Sequence, residues 1–163
     1  MWEYSRIIFV GQSGTAREPM AKGIFEDCTL KKDIEVLARG LVVQFPEPMN
    51  QKAEAVLAGN GIELADFSSV ALSEEDITDN TLILTMERVH KERILGMFEN
   101  IRPDQVQVLT EYVGEELEIV DPYGGSLQSY GLCFEMLRKT IQKLVRELDG
   151  GEAYGRNEET GLY

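Results

Sequence analysis

Ile7-Ile8-Phe9-Val10 is an unbroken apolar run that stops at the polar cluster Gly11-Gln12-Ser13-Gly14-Thr15. A strand buried on both faces of a parallel sheet has this form, because neither of its faces meets water. After the cluster, Pro19 suits a first helical turn, and Met20, Gly23, Ile24 and Phe25 give an apolar face that runs to about Cys28. Residues 34–38 predict a second strand. Asn50 then predicts the cap of a helix whose Ala53, Val56 and Leu57 fall at i, i+3 and i+4, with Asn60-Gly61 ending it. Ser73 and Asp76 have the spacing of a box-like cap over a short helix or turn. Thr81–Thr85 is rich in strand-forming residues, residues 87–98 follow with helical spacing, and residues 106–109 predict a fourth strand. Residues 113–126 carry Gly114, Pro122, Gly124 and Gly125 and predict a loop. A helical stripe then runs from Leu127 to Leu148, the longest in the chain.

Strands alternating with helices imply right-handed crossovers, so the expected fold is α/β with three layers, a four-stranded parallel sheet covered by helices on both faces. In such sheets, function sits at the C-terminal ends of the strands. The expected organisation is one domain over residues 1–148, followed by a flexible acidic tail, 149–163, that has no periodicity.

Twenty-nine acidic residues against 16 basic ones give the 163-residue chain a net charge of -13. That field repels nucleic acid and anionic membrane surfaces, so neither is an expected partner. No apolar run approaches the ~18 residues of a membrane span, and the chain starts without a secretory apolar region, which predicts a cytoplasmic address. Cys28 and Cys133 sit far apart, outside any metal-ligand spacing, and read as small apolar residues. No cofactor or metal is expected.

The segment Gly11 to Glu18, set between a strand and a helix N-terminus, suits an anion held by backbone N–H groups and the helix dipole. An ordinary tight turn remains the alternative. A Walker loop is excluded because no Gly-Lys-Ser/Thr ending is present, and a dinucleotide fingerprint is excluded by the lack of G-x-G-x-x-G.

Four blocks in order carry a resemblance. They are the apolar strand with Arg17-Glu18-Pro19-Met20-Ala21 behind its loop, Glu47-Pro48-Met49-Asn50 with Gly61-Ile62-Glu63-Leu64, Leu82-Ile83-Leu84-Thr85-Met86 with His90-Lys91, and Asp121-Pro122-Tyr123-Gly124-Gly125-Ser126. Over nearly its whole length the chain resembles the low-molecular-weight protein tyrosine phosphatases. The Gly-Gly-Ser form and Thr15 look like those of bacterial members, including those acting on phosphoarginine. The resemblance implies phosphate binding by Gln12, Ser13, Gly14, Thr15, Ala16 and Arg17, with Arg17 clamping two oxygens. It also implies Asp121 as the acid that protonates the leaving oxygen and Tyr123 as a pocket wall.

The departures change the chemistry. The family attacks phosphorus with a cysteine thiolate at the first loop position, and Gly11 stands there. Ala16 replaces a neighbouring family cysteine, Ser13-Gly14 replaces the loop Gly-Asn pair, and Phe67 and Val70 stand where a histidine and an arginine are expected. Glu18 replaces the serine that supports the nucleophile. At ~4 Å and an effective dielectric constant of about 20, a carboxylate and another unit anion repel by about 4 kcal/mol, so phosphate affinity falls unless Arg17 or a cation offsets Glu18. Ser13 lacks an adjacent base, and His90 reads as a helix-surface residue with no chemical role.

The expected function is therefore a catalytically impaired member of that family, a pseudophosphatase that binds phosphate, a phosphoprotein or another partner. Two alternatives stay open: an active tyrosine or arginine phosphatase with a different nucleophile, and a relative of the arsenate reductases that share this fold.

Overall fold

The computed structural model describes residues 4–28, 30 and 32–150. Four parallel strands form one sheet: β1 (Arg6–Gly11), β2 (Glu35–Gly40), β3 (Thr81–Thr85) and β4 (Val106–Val108), in the order β2-β1-β3-β4. β1 lies between β2 and β3, so Ile7, Ile8, Phe9 and Val10 are completely buried, which is why that stretch reads as an apolar run without alternation.

The two faces of β1 feed two cores. Ile7 and Phe9 join Leu82 and Leu84 under helices α1 (Arg17–Asp27), α2 (Gln51–Gly59) and α5 (Leu127–Leu148). Ile8 and Val10 join Ile83 and Val106 under Ile94 of α3 (Arg88–Met97). The result is the three-layer α/β arrangement expected from the sequence. On the larger side, Phe9 meets Phe25 edge-on, with ring centroids 6.1 Å apart.

Local chemistry sets several element starts. The Asn50 side chain accepts hydrogen bonds from the N–H groups of Lys52 and Ala53 at the start of α2. The Ser73 N–H donates to Asp76 Oδ2 across a single 3-10 turn, Glu74–Asp76. α5 has the predicted bounds, with Ser126 Oγ accepting from the Ser129 N–H at its start.

α1 starts at Arg17, which puts Pro19 in its first turn as expected. Two strands have boundaries that differ from expectation. β2 begins one residue later than predicted and continues to Gly40, because the ladder with β1 extends to the Gly11–Gly40 pair. β4 ends at Val108, and Leu109–Tyr112 forms a short helix, α4. Of the expected tail, residues 151–163 lie outside the described residues. Among the described residues, no helix is long and apolar enough to cross a membrane.

The loop after β1 packs directly on the end of β2. A Cβ on Gly40 would lie 2.6 Å from the Ser13 carbonyl carbon, so glycine there permits the close approach. Gly14 has a φ of 77°, the left-handed conformation that turns the loop back toward α1.

Candidate functional site

The site lies where β1 and β3 end, against the first turn of α1. Gly11 closes β1, and its carbonyl and that of Gln12 accept from the Leu41 N–H. Ser13 and Thr15 hydroxyls lie 2.9 Å apart, the Thr15 carbonyl accepts from the Asn50 N–H, and Gln12 Oε1 accepts from Arg93 at 3.4 Å. The loop is therefore pinned to β2, α2 and α3 by its own polar atoms. The Ser13 hydroxyl is engaged with Thr15 rather than with a base.

Glu18 turns back from the first turn of α1 into this loop. A Cβ on Gly11 would stand 2.0 Å from Glu18 Oε2 and 2.8 Å from its carboxyl carbon. The carboxyl group thus fills the space where a side chain at position 11 would begin. Oε2 accepts from the Gly14 N–H at 3.2 Å, and the whole residue is only 2% exposed. Burial raises the Glu18 pKa above its ordinary value of 4.5, while hydrogen bonds from the backbone N–H groups of Glu18, Gly14 and Ala16 and the nearby Arg17 charge pull it back down.

Arg17 makes its ion pairs with carboxylates other than Glu18, which feels only its charge. Its Nη1 donates to the Ile119 carbonyl at 2.5 Å and pairs with Glu87 Oε2 at 2.8 Å, and Nη2 lies 3.7 Å from Asp121 Oδ2. The guanidinium is buried and faces two carboxylates, so its fork is already engaged by the protein.

Asp121 is held both ways the sequence allows. Oδ2 faces Arg17, and Oδ1 accepts from the Tyr123 N–H in a turn. Tyr123 is 85% exposed. It stands between two clefts, one of 440 Å³ shared with Val120, Leu132 and Met136, the other of 430 Å³ shared with Asn50, Lys52 and Tyr130.

His90 is not a surface residue. It is buried, and its Nδ1 accepts from the Glu87 N–H at 3.2 Å, which holds the ring against the residue that pairs with Arg17. Burial lowers its pKa below 6.5, Arg17 and Arg93 lower it further, and Glu87 and Glu118 oppose them.

Cys133 also lies closer to the site than its sequence position suggests. It donates to the Val120 carbonyl at 3.7 Å and feels the charges of Arg17, Asp121 and Glu18. Burial pushes its thiol up to about 12, with Arg17 opposing, so it stays protonated at neutral pH. Cys28 donates to the Ile24 carbonyl on α1, and burial raises its thiol as well.

Sequence reasoning missed Glu87, Ile119 and Cys133 as neighbours of the site. Glu87 carried a usable signal in its position directly before α3, where its N–H needs a partner and His90 supplies one three residues on. The Ile119 carbonyl carried none, since a backbone acceptor has no side-chain signature.

Comparison with known proteins agrees with the fold. Residues 6–153 match the family model described as low molecular weight phosphotyrosine protein phosphatase. The chain is 33% identical to a protein-arginine-phosphatase of Geobacillus stearothermophilus, over 88% of this chain and 95% of the relative. It is 32% identical to the low molecular weight protein-tyrosine-phosphatase PtpB of Staphylococcus haemolyticus, over 85% and 96%. Among solved structures, the YwlE arginine phosphatase from Geobacillus stearothermophilus superposes with a TM-score of 0.82 at 30% identity, covering 94% of this chain and 97% of that one. A low molecular weight protein tyrosine phosphatase from T. tengcongensis gives a TM-score of 0.82 at 34% identity, covering 88% and 99%.

Proposed function

This chain belongs to the low molecular weight phosphotyrosine protein phosphatase family, and from that premise we propose that it is a pseudophosphatase. It keeps the family scaffold, has given up hydrolysis through a phosphocysteine, and acts by binding a partner. One observation carries the reading: position 11, where the family resemblance puts the attacking thiolate, is glycine, and the space beside it is filled by the Glu18 carboxyl, 2.0 Å from the point where a Cβ would stand.

Among the described residues near the loop, none supports the missing step. The Cys133 thiol, raised to about 12, has a negligible thiolate fraction at neutral pH. Ser13 shares its hydroxyl with Thr15 and lacks the base that would activate it. Arg17, which would neutralise a phosphoryl group, is matched by Glu87 and Asp121 instead. These contacts favour partner binding over capture of free phosphate, and they leave Asp121 in reach of Arg17 without an attacking group to work with. A phosphoprotein is the class of partner that the relatives' phosphatase activities suggest.

The test is turnover of p-nitrophenyl phosphate and of a phosphoarginine peptide by the full chain at neutral pH. The reading expects rates equal to buffer. Turnover above buffer that disappears in Arg17→Ala would reverse it in favour of an active phosphatase with a displaced nucleophile, and arsenate-dependent thiol oxidation would reverse it in favour of a reductase.

A further inference from the structure

A loop that ends a strand and opens a helix offers an anion its backbone N–H groups, positive helix dipole and nearest cation. Here each of these already has an occupant inside the chain. The Gly14 N–H donates to Glu18 Oε2. The N–H groups of Gly14, Ala16 and Glu18 all stabilise that carboxyl electrostatically. Arg17 is held by Glu87, Asp121 and the Ile119 carbonyl. Glu18 sits in the first turn of α1, where the dipole favours an acidic side chain, and its 2% exposure shows that the carboxyl lies within the loop rather than over its mouth.

Glycine at position 11 and glutamate at position 18 are sterically matched. Any side chain at position 11 would overlap the carboxyl, and removing the carboxyl would leave loop N–H groups without an acceptor. We infer that the Glu18 side chain is the resident occupant of the loop and sets its ligand specificity: in the native chain it fills the oxyanion cradle, so phosphate-class ligands bind only when that side chain is cut back. The inference rests on the loss of the phosphocysteine route proposed above and adds to it, because a chain without a nucleophile would otherwise still hold phosphate.

The experiment titrates inorganic phosphate into the full-length native protein, Glu18→Ser and Glu18→Gln at neutral pH by isothermal calorimetry. Glu18→Ser is expected to bind phosphate about tenfold or more tighter than the native chain. Glu18→Gln keeps the bulk and an acceptor oxygen, so it is expected to bind no better than native. Equal phosphate affinity in the native chain and Glu18→Ser overturns the inference. Opening by Glu18→Gln to the level of Glu18→Ser also overturns it, since charge alone would then exclude the ligand. If Glu18→Ser does not fold, the native protein decides by NMR: the Gly14 amide is expected to shift as Glu18 titrates, and an amide that ignores that titration contradicts the assignment. Hydrolysis by the native chain would fell the previous reading while leaving this one to the phosphate series.

Discussion

Arg17 and Glu87 meet at 2.8 Å beneath the loop, with the arginine side chain 3% exposed and the glutamate 30% exposed. The same guanidinium donates to the Ile119 carbonyl, so one side chain ties α1 to the end of β3 and to the loop that carries Asp121.

Arg17→Ala should therefore destabilise the fold. Removing one member of a buried pair costs ~3–5 kcal/mol, and the partly solvated Glu87 and Asp121 reduce that to about 1–3 kcal/mol. Urea denaturation measures it. Arg17→Lys should recover less than half, because an ammonium cannot present a planar fork to Glu87 and the Ile119 carbonyl together.

Gly11→Ala should also destabilise, by about 1–3 kcal/mol, since the added methyl must push the Glu18 carboxyl out of its place. Adding Glu18→Ala removes the clash. A double-mutant cycle from denaturation of the four proteins should give a coupling of ~0.5–3 kcal/mol, with the second substitution partly rescuing the first. Additive effects would mean that the two positions do not share one space.

The raised Glu18 pKa fixes the sign of a pH effect. The folded state holds this proton more tightly than the unfolded chain, so the contribution to stability is fully present below pH 4.5 and is lost as pH rises through the folded pKa. Glu18→Gln removes that loss and should be more stable than native at neutral pH. His90 acts in the opposite direction: its lowered pKa gives a contribution present above pH 6.5 and lost as pH falls through the folded value. Thermal unfolding of native, Glu18→Gln and His90→Gln across pH 4–8 separates the two.

Cys133, with a thiol near 12, should resist alkylation by iodoacetamide at pH 8 in the native protein and react once unfolded. Peptide mapping after a timed quench reads this directly. Fast native labelling of Cys133 would reveal a thiolate near Arg17 and reopen the search for a nucleophile.

The parts of the fold that were legible in the sequence are those where one physical cause dominates. Ile7 to Val10 and Leu82 to Leu84 are buried on both faces, and burial alone writes an apolar run. Asn50 and Ser126 cap helices through their own side chains, so those starts are readable too. The end of β2 was not, because Gly40 belongs to the strand through its pairing with Gly11, a contact between segments. At the site, the placement of Arg17 and Asp121 beside one another was legible from the family resemblance. The destination of Glu18 was not: a glutamate at a helix start usually faces water, and only the missing Cβ of Gly11 makes room for it inside. His90 was misread for a similar reason, since its partner is a backbone N–H that pattern does not reveal.

The most direct measurement is a search for a covalent phosphoryl group after rapid quenching in denaturant at neutral to alkaline pH. The full chain is incubated with a phosphoarginine peptide, quenched during the time course and analysed as intact protein and peptides by mass spectrometry. Gly11→Cys/Glu18→Ser, which returns a thiol and clears its space, serves as the comparison. The account predicts an unmodified native chain at every time point and phosphorylation of the introduced cysteine in the double variant. A phosphoryl group on any residue of the native chain, appearing and turning over as substrate is consumed, would contradict it.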